Sequence, residues 1–242
     1  MYKNTAFILK NAKARGSDHR ITVFTENWGK ISIYVKSYAK EKNKYFGRLE
    51  VPSKTEVMFS RSRFSHDFIL TGLEQKNAYC RLASDPGKFC WMSIGLEATE
   101  RFLPWEEAHP LLFRWWNWFL NVYEEKDLEA SLLVYLLRLI SLSGFHPPLG
   151  GCTLCGEAKA AYYSLSPQLE LYCFSCSPPV ASFYPLFVIE YLRRIKKSDF
   201  NKQMNTSGKK EILAFLADFI EKILDQKLKA YTVWKSCAGK GA

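Results

Sequence analysis

The chain has 242 residues, 48% of them hydrophobic and 15% aromatic, with a net charge of +10. That much apolar material builds a packed core in one large domain or two small ones, and excludes disorder over most of the length. The most apolar run, 128–142, has 15 residues and includes Glu129 and Arg138, short of the roughly 20 apolar residues that a membrane span needs.

Residues 1–75 read as strands. The runs TAFILK (5–10), RITVFTE (20–26), KISIYVK (30–36), TEVMFSRSR (55–63) and DFILTGLE (67–74) are rich in β-branched and aromatic residues, and several alternate apolar with polar. In ISIYVK, Ile31, Ile33 and Val35 share one face while Ser32, Tyr34 and Lys36 share the other. ENWGK (26–30) supplies a tight turn in which Gly29 takes positive φ. Five short strands with a long basic connection over 37–54 predict an OB-type barrel, a fold that binds nucleic acid on one face and its flanking loops.

From residue 76 the pattern becomes helical, which gives an α+β chain with domains at 1–75 and 76–242. Helices are predicted over 87–103, 108–125 and 128–144, the third capped by Asp127 and ended by Gly144. The third is apolar nearly all round and is therefore expected at the centre of its domain. Trp115, Trp116 and Trp118 could stack on bases, but beside Leu111, Leu112, Phe119 and Leu120 at helical spacing they read as core. Two more helices are expected near 180–197 and 208–228, the second with an apolar stripe from Ile212 to Leu224. A polar loop, 198–208, joins them, and the tail from Lys235 is expected to fray.

Charge is uneven along this layout. Residues 1–75 carry 14 Lys and Arg against 7 Asp and Glu, residues 76–189 carry 8 against 11, and residues 190–242 carry 12 against 6. Basic ends favour a polyanionic partner, nucleic acid before an anionic membrane. The bland alternative is a solvated, lysine-rich surface. The segment 36–48, KSYAKEKNKYFGR, interleaves cations with Tyr38, Tyr45 and Phe46, and aromatic side chains can stack on bases. Arg20, Lys30, Lys36, Lys40, Lys42, Lys44 and Arg48 are the candidate phosphate contacts, with Phe46 expected in the barrel core. Arg193, Arg194, Lys196 and Lys197 either extend that path or form a solvated helix face. No recognition helix is evident, so sequence-specific readout is not expected.

Seven cysteines and no secretory signal point to a reducing cytoplasm, where Cys-x-x-Cys pairs bind metal or do redox work. Cys152, Cys155, Cys173 and Cys176 form two such pairs 17 residues apart, within a module at about 150–178. That spacing suits one structural zinc ion, because four thiolates fill a tetrahedron and leave no open position. Four-cysteine iron–sulfur ligation remains an alternative, as do free thiols, which is how Cys80, Cys90 and Cys237 read. A thioredoxin-like role lacks its βαβ context, and a nucleobase deaminase lacks its His-x-Glu, since Pro147 and Pro148 follow His146. His19, His66, His109 and His146 join no nucleophile motif, and no phosphate loop is present, so no enzyme is read.

In order and spacing these features resemble the bacterial recombination mediator family RecO over nearly the whole chain. The carriers are AFILKNAKARGSDHRITVFTENWGKISIYVKSYAK at 6–40, FGRLE at 46–50, GFHPPLGGCTLCG at 144–156, YCFSC at 172–176 and LKAY at 228–231. Two departures stand out. Gly16 replaces an acidic residue before Ser-Asp, and Lys36-Ser37-Tyr38-Ala39-Lys40 lacks the glycine of the family's Lys-Gly-Ala-Arg, which puts the local turn in doubt. The resemblance implies a nucleoid-associated cytoplasmic protein that binds single- and double-stranded DNA, anneals complementary strands and helps load RecA onto SSB-coated strands. Its partners would be RecR and the SSB C-terminal tail. The competing reading is a zinc-ribbon and OB protein acting on RNA or ribosomes.

Overall fold

The computed structural model describes residues 1–40, 42–63, 67–79, 84–122, 127–179, 181–197 and 208–238. His66, Cys80 and nearly all of the 198–208 loop lie outside the described residues. Five strands, β1 (Tyr2–Lys13), β2 (His19–Thr25), β3 (Gly29–Val35), β4 (Ser53–Arg61) and β5 (Phe68–Asn77), close into a barrel of order β1-β2-β3-β5-β4. All neighbours are antiparallel except β3 and β5, which pair in parallel through Ile33↔Phe68 and Tyr34↔Ile69. This order confirms the OB-type barrel.

The period-two pattern explains the interior. Ile21 and Val23, Ile31 and Ile33, and Val57 and Phe59 alternate inward and are fully buried. Burying each such side chain contributes about 1.5–3 kcal/mol. The register of β1 against β2 shifts between Ile8 and Lys10, and that of β4 against β5 shifts at two places. Such bulges bend strands enough for five of them to close.

By packing, the chain divides into a first unit of residues 1–89 and 99–120 and a second of 90–98 and 121–242. Helix α1 (Pro86–Phe102) starts at the N-cap Asp85, whose carboxylate accepts from the Lys88 N–H. Helix α2 (Pro110–Val122) contributes Phe113 and Trp116 to the first unit. Phe113 lies 5.1 Å from the Phe7 ring and 5.3 Å from the Phe24 ring, on the outer side of β1 and β2. Trp116 is fully buried, as the core reading expects, whereas Leu111 is 54% exposed and does not belong to that core.

The second unit is built around helix α3 (Leu128–Leu142), most of whose side chains are buried. Asp127 caps it as expected, accepting from the Glu129 and Ala130 N–H groups, and also pairs with Lys209 at the start of a later helix. Three short strands, β6 (Tyr162–Leu165), β7 (Leu171–Cys173) and β8 (Phe183–Pro185), form a sheet of order β7-β6-β8. Helices α4 (Leu186–Lys197), α5 (Lys209–Leu224) and α6 (Lys229–Ala238) complete the unit. Three boundaries correct the sequence pattern. The helix expected from 180 begins at Leu186, because Phe183–Pro185 pairs with β6. The helix expected to run to 228 ends at Leu224, where Asp225 turns left-handed at φ 49°. The tail expected to fray from Lys235 is helical as far as Ala238, anchored by the buried Trp234.

Gly29 shows why the β2–β3 turn demands glycine. Its φ is 66°, and a Cβ there would lie 1.8 Å from the carbonyl oxygen of Glu107. Gly16 has a similar φ of 62° with open space around it. Gly16→Ala should therefore cost only the left-handed strain, about 1–2 kcal/mol. Gly29→Ala should cost clearly more and lower the urea midpoint further. Equal midpoint shifts for the two variants would show that the Glu107 contact imposes nothing.

Candidate functional site

The end of β3 and the basic connection after it are held to the β1–β2 turn by three bonds. The Ala39 N–H donates to the Ser17 carbonyl at 2.9 Å, and the Ser37 N–H donates to Asp18 Oδ1 at 2.6 Å. The Tyr34 hydroxyl donates to Asp18 Oδ2. These two donors keep the Asp18 carboxyl below its ordinary range, with Lys36 and Lys40 adding smaller attractions. Asp18 thus resolves the doubt over the missing family glycine. Ser37 takes the left-handed conformation itself, at φ 54°, and the Asp18 carboxylate holds the turn.

Most of the expected phosphate contacts gather here. Lys36, Lys40, Lys42, Lys44 and Arg48 are all exposed, and none of them forms an ion pair among the described residues. Lys44 lies over the Tyr45 ring at 4.9 Å, and Tyr45 is buried in the barrel core. Phe46 departs from expectation. It is 53% exposed rather than core, and lies 6.1 Å from Tyr38, which in turn lies 4.5 Å from His19. An aromatic row of His19, Tyr38 and Phe46 therefore runs through the cationic surface.

Arg20 is only half free. Its guanidinium pairs with Asp67 at 2.9 Å, donates to Ser32 Oγ at 3.2 Å and lies over the Tyr34 ring at 5.7 Å. Lys30 is not at this surface. It is 5% exposed, donates to the Glu100 carbonyl at 2.7 Å and sits 4.5 Å from the Trp105 ring centre. Burial lowers the pKa of its ammonium group. Its outward position on β3 is covered by the 103–107 segment, which pattern reading along one strand cannot foresee. Sequence reasoning also passed over Lys13 and Arg15. Lys13 is exposed at the end of β1 and Arg15 in the turn that follows, close enough to act on the Tyr34 hydroxyl. Their signal was position at and within the turn between β1 and β2.

In the second unit the four expected cysteines come together. The Sγ atoms of Cys152, Cys155, Cys173 and Cys176 all lie within 4.8 Å of one another, with Cys155 and Cys173 at 3.7 Å. A tetrahedral ion with metal–sulfur bonds of about 2.3 Å sets its sulfurs about 3.8 Å apart, so the donor set fits one four-thiolate ion. The first pair sits on a tight turn. The Gly156 N–H donates to the Cys152 carbonyl at 2.9 Å, and Gly156 has a φ of 78°. The β6–β7 ribbon returns the second pair, with Tyr163 opposite Cys173, and a single helical turn over Phe174–Cys176 presents Cys176.

Electrostatics at this cluster favours a cation. Burial pushes the Cys152 thiol up, but the N–H groups of Cys155, Cys173 and Leu154 outweigh it and bring the thiol down to about 6. The neighbouring Cys173 and Cys155 sulfurs push Cys176 up to about 12. Thiols this close cannot all ionise unless a positive charge sits among them. Arg193, a candidate for an extended basic path, instead braces the module. Its guanidinium donates to the carbonyls of Leu149 and Ala158. Arg194 is exposed, and the side chains of Lys196 and Lys197 lie outside the described residues. No helix among the described residues is long and apolar enough to cross a membrane.

A five-stranded OB-type barrel followed by helices that carry four clustered cysteines is the architecture on which the comparisons converge. Residues 1–72 match the family model Recombination protein O N terminal, and residues 83–232 match Recombination protein O C terminal. The chain belongs to the recombination protein O family. It is 23% identical to the DNA repair protein RecO of a Thermoanaerobacter species over 237 residues, 96% of this chain and 92% of that protein. It is 25% identical to that of Syntrophus aciditrophicus over 248 residues, 96% of this chain and 94% of that protein. The match to that of Prosthecochloris aestuarii is 27% over 175 residues, 71% of this chain and 66% of that protein.

Removal of one thiol should expose the metal's role. Cys173→Ser is expected to purify with bound metal well below one equivalent. Its thermal transition should fall by several degrees, as losing a few kcal/mol does in a domain of this size. Metal analysis by mass spectrometry and a thermal melt check both. A Cys173→Ser protein with full metal content and unchanged melting would remove the four-thiolate centre.

Proposed function

We propose that this protein is a DNA repair and recombination mediator that binds single- and double-stranded DNA without sequence selection. In this reading the barrel, residues 1–75, is the DNA-binding domain, and residues 76–242 form the helical domain around a structural zinc ion held by Cys152, Cys155, Cys173 and Cys176. The protein anneals complementary strands and, with RecR and the SSB C-terminal tail as partners, helps to load RecA onto SSB-coated single strands. It is a binding protein without turnover of its own.

The observation that carries the reading is the exposed row Lys36, Lys40, Lys42, Lys44 and Arg48 threaded by His19, Tyr38 and Phe46. Cations spaced along a loop neutralise phosphates of any sequence, which makes affinity fall steeply with salt. Exposed rings next to them stack on unpaired bases, contributing about 1–3 kcal/mol per base. Annealing needs both: cations screen the repulsion between two strands, and rings hold bases unstacked from their own strand until they pair. Arg20 contributes if a phosphate displaces Asp67, and Lys13 and Arg15 extend the path. Lys30, engaged with the Glu100 carbonyl, is left out of it. The family match supports DNA over RNA as the ligand.

Reversing Lys40, Lys42 and Lys44 to Glu should weaken binding to both strand forms. It should also flatten the dependence of log K on log salt by about 2–3. Phe46→Ala should weaken single-strand binding by about tenfold while leaving duplex binding nearly unchanged, the signature of a lost stack. Fluorescence anisotropy across a salt series measures both. Parental affinity and salt slope in the triple variant would remove the basic connection from the interface.

A further inference from the structure

Two cysteines outside the metal centre, Cys90 and Cys237, lie on α1 and α6, two helices that pack together. The Glu97 carboxylate of α1 accepts from the Lys229 and Ala230 N–H groups at the start of α6, at 3.1 and 2.7 Å. Six residues earlier on α1, Trp91 meets Trp234 of α6 at 5.3 Å, edge to face. As one helix is followed backward the other runs forward, so the two pack antiparallel. Cys90 stands seven residues before Glu97, and Cys237 stands seven residues after Ala230. Seven residues are close to two helical turns, so Cys90 returns to the Glu97 stripe of α1, about 10.5 Å along the axis, while Cys237 lies about one turn beyond Trp234 on α6. Beside the Trp91–Trp234 contact, this antiparallel register brings Cys90 and Cys237 to the same end of the helix pair.

Facing positions on packed helices suit a disulfide. Axes about 8–10 Å apart with Cα atoms at a radius of about 2.3 Å bring opposed Cα atoms to about 3.5–5.5 Å. A disulfide takes about 4.4–6.8 Å, and the two ranges overlap. Cys237 is exposed and Cys90 half-buried, and both are free thiols. Burial, and then the charge of Cys237, raise the pKa of the Cys90 thiol.

We propose that Cys90 and Cys237 form a dithiol site that hydrogen peroxide converts to a disulfide, stapling the last helix to the first. Exposed Cys237 reacts first. Its thiolate attacks one peroxide oxygen, the S–O bond forms, the O–O bond breaks, and hydroxide leaves as water with the thiol proton. Cys90 then gives up its proton and attacks the Cys237 sulfur. The S–S bond forms, the S–O bond breaks, and a second water leaves. Two thiols are oxidised by two electrons and one peroxide is reduced to two waters. The staple needs no movement of the four clustered thiols, which a bound ion would hold out of reach of this exchange.

The test uses the full, metal-loaded chain in a Cys80→Ser background, treated with equimolar hydrogen peroxide, alkylated, digested without reductant and mapped by mass spectrometry. The expected product is a Cys90–Cys237 peptide pair lighter than its parts by two hydrogens, with metal content unchanged. Reductant should reverse it, and Cys237→Ser should abolish it. Tryptic cleavage after Lys229 and Lys235 should slow by on the order of tenfold in the oxidised form, because the staple suppresses opening of α6. Full alkylation of both thiols after peroxide overturns the proposal. So does Cys237 linked to a metal-centre cysteine, or Cys90 oxidised without a crosslink.

Discussion

Strand β1 serves two neighbours at once, and the barrel closes only because it does. Its first residues pair with β4 from Tyr2↔Phe59 to Ile8↔Ser53, and its later ones pair with β2 from Ala6↔Thr25 to Lys13↔His19. The shift near Ile8 and Lys10 lets one 12-residue strand bend between these partners. Closure leaves no free sheet edge and fixes which loops share an end of the barrel. The β1–β2 turn and the connection after β3 meet at one end, where Asp18 ties them together. The cationic and aromatic side chains of 36–48 are ordered by that carboxylate and by Tyr45, whose ring is part of the barrel core.

The metal module obeys a different constraint. Its strands have four, three and three residues, and sheets this small do not hold by themselves in water. Tyr163 is buried beneath them, donating to the Glu157 carbonyl and accepting from the Ala160 N–H. Arg193 reaches the same loop from α4. An ion gripped by the four thiolates would supply the remaining connection between the two turns. The module carries Lys159 against Glu157 and Glu170, a charge balance that does not suit a second polyanion surface.

Strands, helix types and the metal centre were legible because each rests on a local signal. Alternation along β2 and β3, the cap at Asp127, and two Cys-x-x-Cys pairs at ribbon spacing need no knowledge of distant contacts. What escaped depends on such contacts. Lys30 lies on the outward stripe of β3 beside Ser32 and Tyr34, and only the covering segment from Trp105 onward makes it a buried bond to Glu100 rather than a phosphate ligand. Phe46 was assigned to the core by residue type, but Tyr45 fills that place and pushes Phe46 outward. The helix α6 was missed because its anchor, Trp234, meets its partner, Trp91, only in three dimensions.

The central claim is that DNA lies along the barrel at the connection after β3 and the β1–β2 turn. Photocrosslinking of the full chain to a single strand carrying 4-thiothymidine, followed by peptide mapping, tests this directly. Crosslinks are expected to concentrate in 13–48, with Tyr38 and Phe46 among the modified positions. Crosslinks concentrated instead in 150–178 or 186–238 would contradict it.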